Sequence, residues 1–334
     1  MPMFKNKKVL VIGGTGTIGQ AMVEKILSEE PAVVRVYSRD EYKQFMLKEK
    51  LGDQTNIRYL LGDVRDQERL DRAMNGIDIV FNFAALKHVP ACEYNPFEGV
   101  KTNVIGTQNV ITCAMANKVK KVIYSSSDKA VSPTNTMGAT KLLAERLMSS
   151  SYYSRGDAGT IFASVRFGNV MGSRGSVIPL FKQQVLEKGY ITITEPEMTR
   201  FMMSLSQAVE LTIKACKIAK GGEVFVLKMP VVRLKDLAEV VIEDVCKKYQ
   251  LNSEKIIIKK VGLRPGEKMY EELMSEDEST KAFELNDMYV IKPPYSEHAY
   301  MEVKNAVISS YSSQGEKILS KTDIRKLLTG ENLI

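Results

Sequence analysis

Asp128 and Lys129 stand side by side in the stretch YSSSDKAVSPTNTMGATK, residues 124–141, and Lys141 follows Met137 by four residues, one helical turn on. An adjacent carboxyl and amine are the groups needed to give a proton to a leaving group and to take one from a neighbouring carbon, once burial and neighbours tune each pKa. Met137 is the odd member, because a thioether handles no proton. The plain alternative is an Asp–Lys pair that closes a strand end and does no chemistry.

The elements that must position this stretch are readable upstream. Residues 8–12, KVLVI, form a β-branched run that leads into GGTGTIG and then the helical pattern AMVEKILSEE, which is strand, turn and helix. Gly13, Gly16 and Gly19 permit the tight turn, close approach to a pyrophosphate and close helix–strand packing; with Thr15, Thr17 and Ile18 they are the expected cofactor residues of the turn. The second strand, VVRVYS at 33–38, ends in Ser38, Arg39 and Asp40, with Lys43 one turn further. A hydroxyl, a guanidinium and an ammonium suit a ribose 2′-phosphate, which favours NADP over NAD. Asp40 keeps NAD as the minority option and is equally placed to cap the following helix.

Further along, Asp63 and Val64 close a strand where they can meet an adenine, and Asn82, Phe83, Ala84 and Ala85 offer small side chains beside a cofactor. Lys87 and His88 follow at the carboxyl end of a strand, where open parallel sheets bind ligands. A helix is expected over 98–116, with Asn103 in its middle either exposed or bonded to neighbouring backbone in support of the site. Strands alternate with helices from residue 8 to about 168, which predicts an α/β fold built on a doubly wound parallel sheet, a Rossmann domain over 1–170. Residues 171–295 are expected to form a smaller α/β substrate lobe, with some segments able to return to the Rossmann domain. Residues 296–334 read as a tail with a short helix and no evident chemistry. Arg166, Asn169, Arg174, Arg200, Arg264 and Lys268 are the anion-binding candidates, and with the RPGEK turn they suggest a diphosphate held between the lobes.

Composition narrows the partners. Lys plus Arg exceed Asp plus Glu by 47 to 40, but acids are interleaved and no basic stripe carries aromatics, so nucleic-acid binding is not expected. Two histidines and four scattered cysteines show no metal-ligand spacing, so no metal is expected. The sequence shows neither a signal-type leader nor an 18-residue apolar run, which points to a soluble cytoplasmic protein without a membrane segment.

The motifs GGTGTIG, SRDEYKQ, GDVRD, FNFAALKHVP, DKAVSPTN, FGNVMGSRGSVIPLF, MTRFMM and RPGEK together resemble the extended short-chain dehydrogenase/reductases. Within them the chain is most similar to the soluble UDP-N-acetylglucosamine 4,6-dehydratases of pseudaminic acid and related pathways. The resemblance runs from about residue 5 to 295, and DKAVSPTN, MTRFMM and RPGEK in that order carry most of its specificity. It implies that NADP takes the C4 hydride of UDP-N-acetylglucosamine, that Lys129, with a depressed pKa, removes the C5 proton, and that Asp128, held protonated, gives a proton to the departing C6 hydroxyl. It also implies that Lys141 bonds the nicotinamide ribose, with Lys87, His88, Ser126 and Ser127 along the sugar. Asn169, Val177, Thr194, Arg200, Arg264 and Glu267 would lie along the UDP. Asn103 and Lys87 would support the cofactor, and a homo-oligomer, a dimer or larger, would use helices 98–116 and 136–152.

Met137 departs from the tyrosine that many members of the superfamily carry, although membrane-anchored dehydratases and some capsule-sugar relatives share the methionine. The group that takes the C4 hydroxyl proton is therefore open between Lys129, Lys141 acting through the ribose, and a water. Return of the hydride to C6 or to C4, and the C5 configuration, stay open as well. The rival readings are a UDP-sugar 4-epimerase on the same fold and a non-catalytic NADP-binding sensor.

Overall fold

The computed structural model describes residues 2–173, 175–263, 266–294, 300 and 304–334. The alternation of strand β1 (Lys8–Ile12) sets the layering, because its residues face opposite sides of the sheet in turn. Val9 and Val11 pack with Met22, Val23 and Ile26 of helix α1 (Thr17–Leu27). Leu10 and Ile12 face the opposite core.

The chain continues through β2 (Val33–Ser38), α2 (Glu41–Leu51), β3 (Ile57–Leu61), α3 (Gln67–Met74) and β4 (Ile79–Asn82). Two short helices follow, α4 (Val89–Tyr94) and α5 (Pro96–Gly99), then a π-helical stretch at Val100–Ile105 that opens into α6 (Gly106–Ala116). The expected continuous helix over 98–116 is thus wound in three pieces, and the wide turns hold Asn103. β5 (Lys121–Ser125) leads to a 3₁₀ turn at Asp128–Ala130, then α7 (Thr136–Ser154), β6 (Ile161–Arg166) and β7 (Asn169–Val170). After these come α8 (Val177–Lys188), β8 (Tyr190–Ile193), β9 (Thr199–Met203), α9 (Leu205–Ile218) and β10 (Val224–Leu227).

The remainder comprises β11 (Val231–Arg233), α10 (Leu234–Tyr249), β12 (Ile257–Lys260), β13 (Glu272–Met274), α11 (Glu276–Ser279), β14 (Ala282–Glu284) and β15 (Met288–Ile291). β16 (Lys304–Asn305), β17 (Tyr311–Ser312) and α12 (Lys321–Gly330) complete it. Among the described residues the main sheet has ten strands in the order β16-β14-β15-β10-β6-β5-β4-β1-β2-β3. It is parallel from β10 to β3 and antiparallel from β10 through β15 and β14 to β16. This is the doubly wound α/β arrangement, with the order reversing between β1 and β4, where such sheets bind ligands at their carboxyl ends.

α3, α6 and α7 cover one face through Leu70, Val110, Ala114 and Met148, and α1 and α9 cover the other through Met22, Val209 and Ile213. A separate core joins α8, β8, α10 and α12 through Phe181, Ile191, Val241 and Leu328. The residues read as a tail with a short helix hold that helix against α10 and, in addition, a strand against β13.

Candidate active site

Gly13 sits at φ +74°, and a side-chain carbon on Gly19 would run into the Gly13 carbonyl, so the GGTGTIG turn closes only with glycine at both positions. Gly16 caps α1 with no side chain, and the helix start presents backbone N–H groups toward an anion. This cradle fits a dinucleotide pyrophosphate, with Thr15, Thr17 and Ile18 on the same turn. Thr15 Oγ1 lies 2.7 Å from Ser38 Oγ, which ties the turn to the end of β2.

Asp40 accepts the Lys43 N–H at 3.0 Å and also pairs with the Lys43 ammonium, so it caps α2, as the sequence allowed. Arg39 extends into solvent with its side chain 58% exposed, 3.6 Å from the Asp63 carboxylate. Asp63 is held mainly by Arg65, at 2.8 Å from the guanidinium and 3.0 Å from the N–H. Val64 is buried against Gly106 of α6.

Ala84 and Ala85 lie beyond β4, with the Ala84 N–H donating to Asn82 Oδ1 at 3.2 Å. Lys87 and His88 are exposed on the loop that follows, and His88 comes up against Gly175. Asn103 is fully buried. Its amide oxygen accepts the Leu86 N–H at 2.8 Å and its amide nitrogen donates to the Leu86 carbonyl at 3.0 Å and to Thr140 Oγ1 at 2.9 Å. Of the two positions anticipated for it, the buried supporting one is realised.

The stretch 126–141 bends over the carboxyl end of β5. Ser126 is buried and its Oγ has no hydrogen-bond partner among the described residues, whereas Ser127 Oγ donates to Asp128. Asp128 is 3% exposed, and Lys129 Nζ reaches back to it at 2.9 Å while its side chain stays 30% exposed. A third group enters from far along the chain: Glu271 lies 3.2 Å from Lys129 Nζ and 3.3 Å from Arg200 Nε, and Asn169 Nδ2 donates to it at 3.3 Å.

The protonation order differs from the one expected of a lysine base and an aspartic acid. Burial works to raise Asp128, but the ammonium of Lys129 and the hydrogen bonds of Glu271 and Ser127 hold it below the ordinary carboxylate range. Burial works to lower Lys129, but the carboxylates of Asp128 and Glu271 hold it above the ordinary amine range. Burial, reinforced by Asp128, instead pushes Glu271 up to about 7. Glu271, which the sequence reading did not single out, is thus the carboxyl of the cluster that burial moves toward neutrality.

Met137 is buried on the first turn of α7, whose start is capped by Asn135 Oδ1 on the Gly138 N–H at 2.8 Å. One turn on, Lys141 Nζ donates to the Ser125 carbonyl at 2.7 Å and lies 4.6 Å from the centre of the Tyr124 ring. Burial brings Lys141 down to about 8, against the upward pull of Glu145.

The anion-binding candidates divide. Arg200 has its guanidinium held by the Lys268 carbonyl at 2.9 Å and the Thr199 carbonyl at 2.8 Å, with Glu267 at 3.9 Å. Lys268 binds the Ser132 carbonyl at 2.6 Å, locking the Pro133 loop to the RPGEK turn. The Thr194 carbonyl accepts the Gly262 N–H at 3.0 Å, and Val177 opens α8. Arg174 and Arg264 lie outside the described residues. Arg166 departs from the expectation. It is 0% exposed and spends its donors on Glu145, on Glu278 at 2.8 Å and on the Leu273 carbonyl at 2.8 Å, so no face is left for a phosphate.

No metal-holding group of three His, Cys, Asp or Glu occurs among the described residues, nor does any helix long and apolar enough to cross a membrane.

The model of the polysaccharide biosynthesis protein family matches residues 9–293. A protein of Methanocaldococcus jannaschii described as an uncharacterized membrane protein is 52% identical over 325 residues, covering 97% of this chain and 96% of that one. The UDP-glucose 4-epimerase of Rickettsia rickettsii is 40% identical over 336 residues, covering 98% of this chain and 96% of that one. Among solved structures, Pen from Bacillus thuringiensis superposes with a TM-score of 0.94 at 56% identity, over 100% of both chains.

Proposed function

The chain belongs to the polysaccharide biosynthesis protein family, and from that premise we propose that it is an NADP-dependent 4,6-dehydratase of UDP-N-acetylglucosamine. Nucleotide-sugar chemistry on a short-chain dehydrogenase/reductase fold is the class; loss of water across C5 and C6 is the specific reading. The observation that carries it is the Asp128–Lys129 pair at the carboxyl end of β5, with the carboxyl buried and the Lys129 side chain 30% exposed.

When bound, the nicotinamide supplies the two-electron acceptor for C4 and later the donor that returns the electrons to the sugar. A ketone at C4 acidifies the C5 proton, which Lys129 removes once its ammonium has passed a proton to the adjoining Asp128 carboxylate. Asp128 protonates the C6 oxygen as it leaves. Ser126, whose Oγ is buried without a partner among the described residues, gives a hydrogen bond to the sugar, and Ser127 orients Asp128. Lys141, close to Met137 on α7, holds the nicotinamide ribose. Arg200, Asn169, Thr194, Val177 and Glu267 line the path of the UDP. Thr15, Ser38, Arg39 and Lys43 receive the adenosine 2′-phosphate, with Asp63, Val64, Ala84, Ala85, Lys87 and Asn103 on the remaining cofactor side.

A second reading, 4-epimerisation, is favoured by the name of the Rickettsia relative. It needs proton transfer at the C4 hydroxyl only, for which Met137 is unsuited, and it gives Asp128 and Lys129 no task at C5 and C6. Incubation with UDP-N-acetylglucosamine and NADP, followed by proton NMR, separates the two. A C6 methyl signal or a 5,6-ene supports dehydration, and an inverted C4 with the C6 hydroxyl intact would replace this reading with epimerisation.

A further inference from the structure

Ser313 belongs to a segment in which the sequence shows no chemistry, yet it is fully buried and bonds directly to the charged cluster. It follows β17, which pairs antiparallel with β13, and it holds Glu271 twice. Its N–H donates to the Glu271 carbonyl at 2.8 Å, and its Oγ accepts the Glu271 N–H at 2.9 Å. The same Oγ lies 2.9 Å from Thr199 Oγ1, and the Thr199 carbonyl accepts from the Arg200 guanidinium at 2.8 Å. One serine thus joins the backbone of Glu271 to the start of β9.

That junction sets where the Glu271 carboxylate stands. Its Oε1 lies 3.2 Å from Lys129 Nζ and 3.3 Å from Arg200 Nε, and Asn169 Nδ2 donates to its Oε2 at 3.3 Å. Two cations and an amide donor on these oxygens suit an ionised acceptor. Tyr311, two residues before Ser313, closes the arrangement from the other side. Its Oη accepts the Met229 N–H at 2.7 Å and donates to the Met229 carbonyl at 3.1 Å, while Met229 Sδ accepts the N–H of Gly168, the neighbour of Asn169, at 3.1 Å. The C-terminal segment therefore fastens β9 through Ser313 and the approach to β7 through Tyr311, and both strands send a side chain to Glu271.

We infer that Ser313 is a positioning residue: by tying Glu271 to Thr199 it sets one carboxylate oxygen against Lys129 Nζ and Arg200 Nε at once, and so fixes the Lys129 amine beside Asp128. Its effect on turnover rests on the dehydratase reading, whereas its effect on Lys129 does not. Without the Ser313 hydroxyl the Glu271 carboxylate draws away from Nζ, the ammonium loses one of its two carboxylate partners, and more of Lys129 is free amine at a given pH. A serine that served only the fold would leave Lys129 unchanged.

The test uses the full chain as wild type, Ser313→Ala, Glu271→Gln and the double variant. Each is labelled briefly with acetic anhydride at pH 9, and acetylation of Lys129 is read by peptide mass spectrometry against Lys48, exposed on α2. Ser313→Ala and Glu271→Gln should each label Lys129 about threefold to tenfold faster, a tenfold gain being one pH unit in the titration of the amine. The double variant should be no faster than Glu271→Gln, because both changes act through one carboxylate. With UDP-N-acetylglucosamine, Ser313→Ala should lower kcat by about tenfold or more and leave NADP affinity unchanged. Should Ser313→Ala not fold, Thr199→Val, which removes the hydroxyl on the other side of Ser313 Oγ, should speed labelling of Lys129 at least about twofold. A wild-type labelling rate in the folded variant, a gain undiminished in the Glu271→Gln background, or an equal gain at the buried Lys141 would overturn the inference. If the wild type removes no water from UDP-N-acetylglucosamine, the dehydratase reading fails by itself, and the labelling still decides whether Ser313 holds Lys129 through Glu271.

Discussion

Gly138, the residue after Met137 in α7, lies against the main-chain carbonyl of Lys129, and a side-chain carbon there would drive into that oxygen and come within 3.1 Å of the Pro133 ring. The helix can seat on the 3₁₀ turn only because this position is bare. Both neighbours are backbone or ring atoms with little freedom to move aside, so the turn carrying Asp128 and Lys129 must shift if a methyl is added.

Gly138→Ala should therefore lower turnover by about a hundredfold, the cost of a misplacement of roughly 1 Å at a catalytic group. Cofactor affinity, set at the distant Gly13 turn, should change little. Steady-state kinetics beside a fluorescence titration with NADPH checks both halves.

Arg166 pairs with Glu145 and Glu278 deep in the protein. Arg166→Ala would strand the buried carboxylate of Glu145 and take from Glu278, half-buried, its main partner, and breaking such a buried pair costs about 3–5 kcal/mol. Denaturant unfolding should show the loss in the midpoint. Arg166→Lys, lacking the planar fork that reaches both acids, should recover only part of it.

Glu271 and Lys141 give folding stability opposite dependences on pH. The folded state holds a proton on Glu271 up to about 7, while an ordinary unfolded carboxyl has released it well below that. The contribution is thus full at acid pH and is lost as pH rises toward neutrality. Lys141 releases its proton near 8 when folded and only at a higher pH when unfolded, so it favours folding increasingly as pH climbs past 8. Thermal melts in matched buffers should show Glu271→Gln flattening the first slope and Lys141→Met flattening the second.

Arg39 is the exposed cation nearest the end of β2, and its pairing with Asp63 at 3.6 Å is loose. A 2′-phosphate would gain a charge-assisted hydrogen bond from it. Arg39→Ala should weaken NADP binding by about tenfold or more and leave NAD affinity nearly unchanged, as isothermal titration of the two cofactors would reveal.

Local pattern made the Rossmann half legible. KVLVI, GGTGTIG and the end of β2 signal strand, turn and strand end within a few residues, and Val33–Ser38 forms the strand its β-branched run predicts. Asp128 and Lys129 were visible for the same reason. Glu271 was not, because it meets Lys129 across 142 positions and its surroundings, EKMYEELM, read as an ordinary charged segment. Arg166 was misjudged on the same ground: an arginine at a strand end looks like an anion binder until its two carboxylate partners, 21 and 112 positions away, are brought to it. The π-helical winding around Asn103 also has no short-range signature, since it depends on the buried bonds to Leu86 and Thr140.

The role proposed for Lys129, removal of a proton in an elimination, is open to mass spectrometry of UDP-N-acetylglucosamine incubated with NADP and either the wild type or Lys129→Ala, with cofactor binding verified in both. A product lighter by one water is expected from the wild type and none from the variant; a product of unchanged mass from the wild type, or undiminished water loss by the variant, would contradict that role.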